Sequence, residues 1–187
     1  MRLLVAATIT YNVAEAVVAI GAGMAASSAA LIGFGLDSVI EVASAAAVAW
    51  QFSVRDPEAR ERAALRITAV SFFALAAYVT VESARALLGA VEAAPSTVGI
   101  VLAAVSLLAM PILSYAQRRA GRELESASAV ADSKQTLLCT YLSGVLLVGL
   151  ILNSLLGWSW ADPTTALVIA AVAVKEGRAA WRGQQCC

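Results

Sequence analysis

Histidine is absent from this chain of 187 residues, and charged residues are scarce. Charged side chains make up 14% of the sequence, and 13 basic residues balance 13 acidic ones. The missing imidazole excludes zinc sites and catalytic centres that depend on histidine. The scarcity of charge, beside 60% hydrophobic residues, excludes a water-soluble enzyme, a disordered tail and a basic nucleic-acid-binding protein.

Cysteine is also rare, which excludes a secreted domain stapled by disulfides. The cysteines are Cys139, Cys186 and Cys187, and we expect the last two to be exposed reduced thiols, with palmitoylation as the alternative. No Walker loop or other glycine-rich phosphate loop occurs, so we do not expect ATP-driven pumping by this chain alone. The first segment lacks a cleavage site followed by a soluble domain, which indicates a retained span. An integral membrane protein remains.

Six apolar segments are long enough to cross a bilayer, which requires about 20 residues. Charged connectors, Pro95 and the turn from Gly157 to Pro163 separate them. The predicted spans are 3–24, 29–52, 63–89, 96–116, 128–153 and 161–182. We therefore predict an all-α fold, a six-helix transmembrane bundle that forms a single domain over residues 1–187.

The basic residues indicate the orientation of this bundle. They lie at both ends of the chain and in the connectors after spans two and four, whereas the other three connectors contain no Lys or Arg. By the positive-inside rule, both termini are expected in the cytoplasm. Trp50 and Trp181 at inner ends, and Trp158 and Trp160 at an outer end, agree with this topology. We expect a multi-pass protein of the cell membrane, with the lipid bilayer as its surroundings.

Carboxylates within the predicted spans are the strongest functional signal. A charged side chain at the centre of a membrane helix costs roughly 2.5–3.5 kcal/mol on insertion scales, so it needs a use or a partner. Asp37 and Glu41 are four residues apart on span two and share one helix face. Their mutual repulsion is relieved by a divalent cation or by protons that raise one pKa; the alternative is a protonated or helix-bonded pair with a structural role. Glu82 and Arg85 on span three are expected to form a structural ion pair.

Span five repeats the four-residue step with Gln135 and Cys139, and Asp132 lies on the same stripe. Amide, thiol and carboxylate groups on this stripe are able to face those of span two across the bundle. Ordinary packing and hydrogen bonding between helices is the alternative explanation for Gln135 and Cys139. Lys134 is expected to snorkel to the inner surface or to pair with Asp132.

Span one carries Tyr11, Asn12 and Glu15 at a comparable depth. Three helices then point polar groups at one cavity near the midplane, which is how helix bundles build metal sites. Competition between a metal and protons for such a site is the chemistry that a proton-coupled exchanger needs. Alternatively, Glu15 meets Lys134 or bonds to Tyr11 or Asn12.

At these residues the sequence resembles the six-span membrane domain of the cation diffusion facilitator family, which exports zinc and related metals. The segment ALIGFGLDSVIEV resembles the acidic pair of the family's second span. The segment ADSKQTLLC places Gln135 and Cys139 where the family has His and Asp, with Asp132 as the preceding acid. Asn12 resembles the span-one asparagine, and the closing motif of the family resembles Trp160, Asp162 and Pro163.

Two departures accompany the resemblance. Both span-five ligands are substituted, and the cytoplasmic domain that binds metal and forms the dimer in typical members is missing, so the chain resembles a short, divergent branch. The family implies a homodimer. Span three or the Gly/Ala-rich stretches are candidate contacts, and the span-three residues considered are Phe72, Phe73, Ala76 and Ala77.

We expect a divalent-cation transporter that works by alternating access and proton antiport. Asp37 and Glu41 would hold the metal, with the Cys139 thiolate and the Gln135 carbonyl completing the site. The residues expected beside the ligands, or as proton acceptors, are Tyr11, Asn12, Glu15 and Asp132. A thiolate among oxygen ligands favours Zn²⁺ over magnesium or calcium, while iron, manganese and cadmium also fit.

Two other functions are compatible with the sequence. The first alternative is a metal-binding or regulatory membrane protein that does not transport and that partners another transporter through its small-residue faces. The second alternative is a transporter of a small organic cation held by the same carboxylates.

Overall fold

The computed structural model describes residues 2–51, 58–89, 92–123 and 127–182. Within these ranges the chain forms six α-helices and no strand, which confirms the predicted all-α fold. The helices are α1 (Arg2–Ala26), α2 (Ala29–Gln51), α3 (Glu58–Leu87), α4 (Thr97–Glu123), α5 (Ala127–Leu156) and α6 (Ala161–Trp181).

Five of these helices contain a stretch that is long and apolar enough to cross a membrane. The stretches are Ala6–Ala26, Ala29–Ala46, Leu65–Leu87, Thr97–Ala120 and Thr136–Leu156. The 21 residues of α6 include Asp162, Lys175, Glu176 and Arg178, so every stretch of 18 residues in this helix contains at least three charged side chains. An integral, multi-pass membrane protein is therefore confirmed. The crossing by α6, the single-domain bounds and the cytoplasmic termini remain predictions.

The central helix of the bundle is α2, which packs against α1, α3, α5 and α6. Leu31 and Phe34 on α2 are 0% exposed and belong to the same apolar core as Leu146 and Leu150 of α5. A polar side chain on the inner faces of α2 is therefore surrounded by other helices rather than by lipid. This position is what makes the two carboxylates of α2 chemically significant.

Small residues bring α1 unusually close to α2. A Cβ atom added to Gly23 would lie 2.8 Å from the backbone nitrogen of Ile32, and one added to Gly35 would lie 3.0 Å from the backbone nitrogen of Ile20. In a bilayer, a helix surface is in an apolar environment whether it contacts lipid or another helix. Helices therefore associate through close packing and hydrogen bonds. This contact holds the polar face of α1 against α2.

One face of α4 carries large apolar side chains outward at helical spacing. The exposed residues are Val98, Val101, Val105, Leu108, Ile112 and Tyr115. In water, such a stripe would be an aggregation hazard, whereas in a bilayer it is the face that contacts lipid. The opposite face of α4 turns Ser106 and Met110, both 0% exposed, toward the bundle interior.

The structure also bears on two predictions for α3. Arg85 Nη1 lies 2.9 Å from Glu82 Oε1, which confirms the predicted ion pair on an outer surface. Phe72 and Ala76, considered as dimer contacts, are buried within the chain at 3% and 4% exposure. Phe72 packs beside Gly177 of α6, where an added Cβ would lie 3.2 Å from the Phe72 Cβ.

Candidate metal site

The structure brings α2 and α5 together at a thiol and a carboxylate. Cys139 donates a hydrogen bond from Sγ to Asp37 Oδ2 at 3.5 Å. Cys139 is 1% exposed and Asp37 is 6% exposed, so the contact is inside the bundle. Neither group faces lipid, and each points at the helix that the sequence pattern indicated as its partner. A sulfur atom and a carboxylate oxygen are both ligands that Zn²⁺ accepts.

Glu41 lies one helical turn from Asp37 on α2 and is equally buried, at 6% exposure. A negative charge on Glu41, like one on Asp37, is close enough to influence the Cys139 thiol. Two carboxylates and a thiol thus share one electrostatic environment away from water. Such a concentration of negative charge is stable only when protons or a cation neutralise it.

Glu15 of α1 is the best-bonded carboxylate near the site, and it is 2% exposed. It accepts a hydrogen bond from Ser38 Oγ of α2 at 2.8 Å and a second one from Ser106 Oγ of α4. Its negative charge acts on Asp37, the residue next to Ser38 along α2. The carboxylate therefore joins three helices. Its hydrogen-bond partners among the described residues are serines and not Tyr11 or Asn12, while the alternative partner Lys134 lies outside the described side chains.

Tyr11 and Asn12 lie beside this carboxylate with different roles. The Tyr11 hydroxyl shares a hydrogen bond with Ser106 Oγ at 2.9 Å, so Tyr11 reaches Glu15 through that serine. Asn12 is 1% exposed, and its Oδ1 atom has no hydrogen-bond partner among the described residues. A buried acceptor left without a donor costs about 1–3 kcal/mol. An amide oxygen in this condition is a possible ligand for a cation.

Asp132, Lys134 and Gln135 belong to the backbone of α5, but their side chains lie outside the described residues. Ser133 and Thr136, their neighbours on α5, are buried at 1% and 3% exposure. Among the described side chains, no three acidic, cysteine or histidine residues are arranged to hold a metal. The proposed four-ligand set therefore remains a prediction beyond the contact between α2 and α5.

Glu176 of α6 is a carboxylate near the site that the sequence analysis missed. It is half-buried, and its negative charge acts on Asp37 from the helix packed against α2. The charge of Lys175 acts on Glu176 in turn. A usable signal was present in the sequence, because Glu176 directly precedes Gly177 in the small-residue stripe Ala173, Gly177 and Ala180, which is buried.

Residues 5–182 match the family described as the cation efflux transmembrane domain, which covers nearly the whole chain. The chain belongs to the cation efflux family. Cation efflux proteins move metal cations across membranes and are not enzymes, so this chain is a metal cation transporter by family. No curated protein matches the chain significantly. The resemblance inferred from spans two, five and six is therefore confirmed at the level of the family.

The cation efflux family explains why so much polar chemistry lies in an apolar bundle. A metal cation crossing the bilayer needs ligands near the midplane to replace part of its hydration shell. The described residues supply such groups from three helices: Glu15 on α1, Asp37 and Glu41 on α2, and Cys139 on α5. In this family the metal cation is the substrate and not a resident cofactor.

Proposed function

We propose that this cation efflux protein transports a divalent metal ion, preferentially Zn²⁺, by alternating access with exchange for protons. The observation that carries the proposal is the contact between Cys139 and Asp37 in the interior of the bundle. A thiol adds a soft ligand to hard carboxylate oxygens, and zinc accepts both types. Magnesium and calcium prefer oxygen atoms alone.

Binding of the metal should release the thiol proton. Through that proton Cys139 donates a hydrogen bond to Asp37, so the thiol and the carboxylate are paired with each other. A metal ion replaces the shared proton and binds to both, because metals bind the thiolate and not the thiol. Glu41, one turn along α2, and Gln135, one turn before Cys139 on α5, are the proposed third and fourth ligands.

Glu15 is the proposed carrier of the exchanged proton. Its carboxyl group is hydrogen-bonded to Ser38, the direct neighbour of Asp37, and a negative charge on Glu15 would repel that of Asp37, so Glu15 holds a proton while Asp37 is charged. When a metal neutralises Asp37, the reason for holding a proton nearby is removed, and the proton can leave Glu15. The groups that adjust this exchange are Tyr11, Asn12 and Asp132.

We further propose that the protein works as a homodimer in the plasma membrane, with both termini in the cytoplasm and net metal efflux. The distribution of basic residues supports the orientation, and the family supports the dimer. The exposed apolar faces of α3 and α4 provide the surface that lipid or a second copy covers.

The test uses purified protein in proteoliposomes that contain a zinc-sensitive dye and an imposed pH gradient. Asp37→Asn and Glu41→Gln remove one charge each, and we expect zinc flux to fall about tenfold or more, as it does when metal-binding groups are altered. Glu82→Gln makes the same chemical change on an outer surface of α3, and flux should remain normal.

Flux that is unchanged in both site variants overturns the site assignment. Zinc binding without any flux in the unmodified protein supports the alternative of a non-transporting metal-binding protein. Displacement of zinc by a small organic cation in the same assay supports the third possibility.

A further inference from the structure

Asp162, in the first turn of α6, is a buried carboxylate that the proposed transport site does not use. It is 1% exposed and lies far from Asp37 along the sequence. Its Oδ1 atom accepts a hydrogen bond from Ser28 Oγ, and its Oδ2 atom accepts one from the backbone N–H of Ala30 at 3.4 Å. One side chain of α6 thus binds the first residues of α2.

The start of α2 is therefore capped twice. Ser28, which is 0% exposed, accepts a hydrogen bond at Oγ from the backbone N–H of Leu31 at 3.1 Å, as a typical N-cap does. Asp162 supplies a negative charge to the remaining free N–H groups at this end of the helix. Because Ser28 and Asp162 are both buried, water does not replace the carboxylate as a partner for these groups, and the carboxylate helps to set where α2 begins and what it packs against.

Other hydrogen bonds close the same end of the bundle. We call it the hairpin end, and it comprises Ser27–Ser28, residues 92–96 and Gly157–Trp160. The backbone N–H of Ala94 donates to Ala26 O at 2.8 Å, and Asn153 Nδ2 donates to Ala93 O at 3.0 Å. These bonds join the end of α1, the segment before α4, and α5.

Buried apolar side chains of α2 lie between the hairpin end and the proposed metal site. Asp37 is about 12 Å along α2 from its first residue, at the usual rise per residue. Leu31 and Phe34, both 0% exposed, occupy that interval. Among the described residues, the hydrogen bonds that join the start of α2 to α6 are those of Asp162, and they act together with the apolar packing of the two helices.

We propose that Asp162 is a positioning residue whose bonds to Ser28 and the start of α2 hold the hairpin end of the ion path closed, and that these bonds must break before an ion reaches Asp37 from that end. The inference rests on the proposed function, since only alternating access requires the hairpin end to open. A few charge-assisted bonds at one point suit this role, because they are strong when made and are lost together.

The test measures access to Cys139 from each face of the membrane. In a background of Cys186→Ala and Cys187→Ala, a membrane-impermeant thiol reagent is added to right-side-out and inside-out vesicles. The parent should react slowly from the hairpin face. Asp162→Asn and Ser28→Ala should react roughly ten- to a hundredfold faster from that face alone, the factor by which a lost charge-assisted bond shifts a two-state equilibrium.

We call the bonds of Asp162 to Ser28 and the start of α2 the latch. Two further variants distinguish the latch from a merely structural role of Asp162. Thr164→Ala, at the same end of α6, removes an exposed hydroxyl that bonds Trp160 O at 2.7 Å, and labelling should stay at the parent rate. The exchange variant Ser28→Asp with Asp162→Ser restores a hydroxyl–carboxylate pair and should return slow labelling. Ser28→Ala leaves the Asp162 carboxylate in place, and this variant provides the test if Asp162→Asn does not fold.

Unchanged labelling from the hairpin face in Asp162→Asn and Ser28→Ala overturns the latch. Equal acceleration from both faces, without rescue by the exchange variant, also overturns it, since this is the signature of general loosening. Thiol labelling of Cys139 does not require metal transport, so the transport proposal and the Asp162 proposal can fail independently of each other. Absent zinc flux with Asp162-dependent labelling overturns the transport proposal, and normal flux with unchanged labelling overturns the latch.

Discussion

Cys139 Sγ lies 3.5 Å from Asp37 Oδ2, although the two residues are 102 positions apart in the chain. The contact pairs a soft sulfur with a hard oxygen at the point where α2 meets α5. In the proposed transport site, this pairing would set which metals bind well, because the sequence contains no histidine to supply an imidazole ligand.

Replacement of the sulfur should change metal preference more than it changes transport as such. We expect Cys139→Ser to lower zinc affinity by about tenfold or more, since the variant keeps shape and polarity but loses the thiolate. Manganese, which accepts oxygen ligands, should be affected much less. Competitive uptake of the two metals in proteoliposomes measures the ratio, with manganese as the internal control. An unchanged ratio argues that sulfur is not a ligand.

Removal of the Glu15 charge should uncouple metal movement from the proton gradient. In Glu15→Gln, we expect zinc flux driven by a pH gradient to fall roughly tenfold, within the usual range of coupling between linked sites. Flux driven by a zinc gradient alone should persist. Glu82→Gln makes the same carboxylate-to-amide change at the exposed ion pair of α3 and should leave both kinds of flux intact. Retained proton-driven flux in Glu15→Gln excludes Glu15 as the proton carrier.

The hydroxyl of Ser106 should stabilise the bundle through Glu15. Ser106→Ala removes a donor from a carboxylate that is 2% exposed, and we expect a loss of about 1–3 kcal/mol in the free energy of unfolding. Ser71→Ala is the control, because the hydrogen bond described for Ser71 Oγ goes to Ile67 O of its own helix at an exposed position. Denaturant unfolding in detergent micelles measures both variants. Equal small effects would show that the bond to Glu15 contributes little.

Close packing of α1 on α2 should make Gly23 intolerant of a single methyl group. In Gly23→Ala the new Cβ meets the Ile32 backbone, and we expect a loss of about 1–3 kcal/mol from overpacking. Gly21→Ala, two residues earlier, places its Cβ with nothing within 4 Å, so it should gain about 0.5–1 kcal/mol as alanine replaces glycine in a helix. Thermal unfolding of the two variants compares them directly, and destabilisation of both to the same degree contradicts the packing argument.

The bounds of the helices show how far hydropathy is informative. The third span was predicted to begin at 63 and the fourth to end at 116, whereas α3 begins at Glu58 and α4 continues to Glu123. The extra turns are rich in Ala, Arg, Glu and Gln, which favour helix as strongly as apolar residues do. Hydropathy marks the part of a helix that lies in lipid, while backbone hydrogen bonding continues until another signal ends it.

The site shows the complementary limit. Helical spacing predicted that Asp37 and Glu41 share a face, and the burial of both carboxylates agrees with that prediction. Spacing contained no information on Ser38 and Ser106 as donors to Glu15, because one lies on α2 and the other on α4. The partner of Asp162 at the start of α2 was equally hidden, since 134 positions separate the two side chains that meet.

Membrane location, helical content and the faces that carry polar groups follow from the order of residues alone, because each depends on composition or on the period of a single helix. Which faces meet depends on the packing of several helices at once, where the small side chains of Gly23 and Gly35 permit approach and distant residues become neighbours. A linear pattern records spacing within one helix, whereas contact between helices is a three-dimensional outcome of shape and hydrogen bonding.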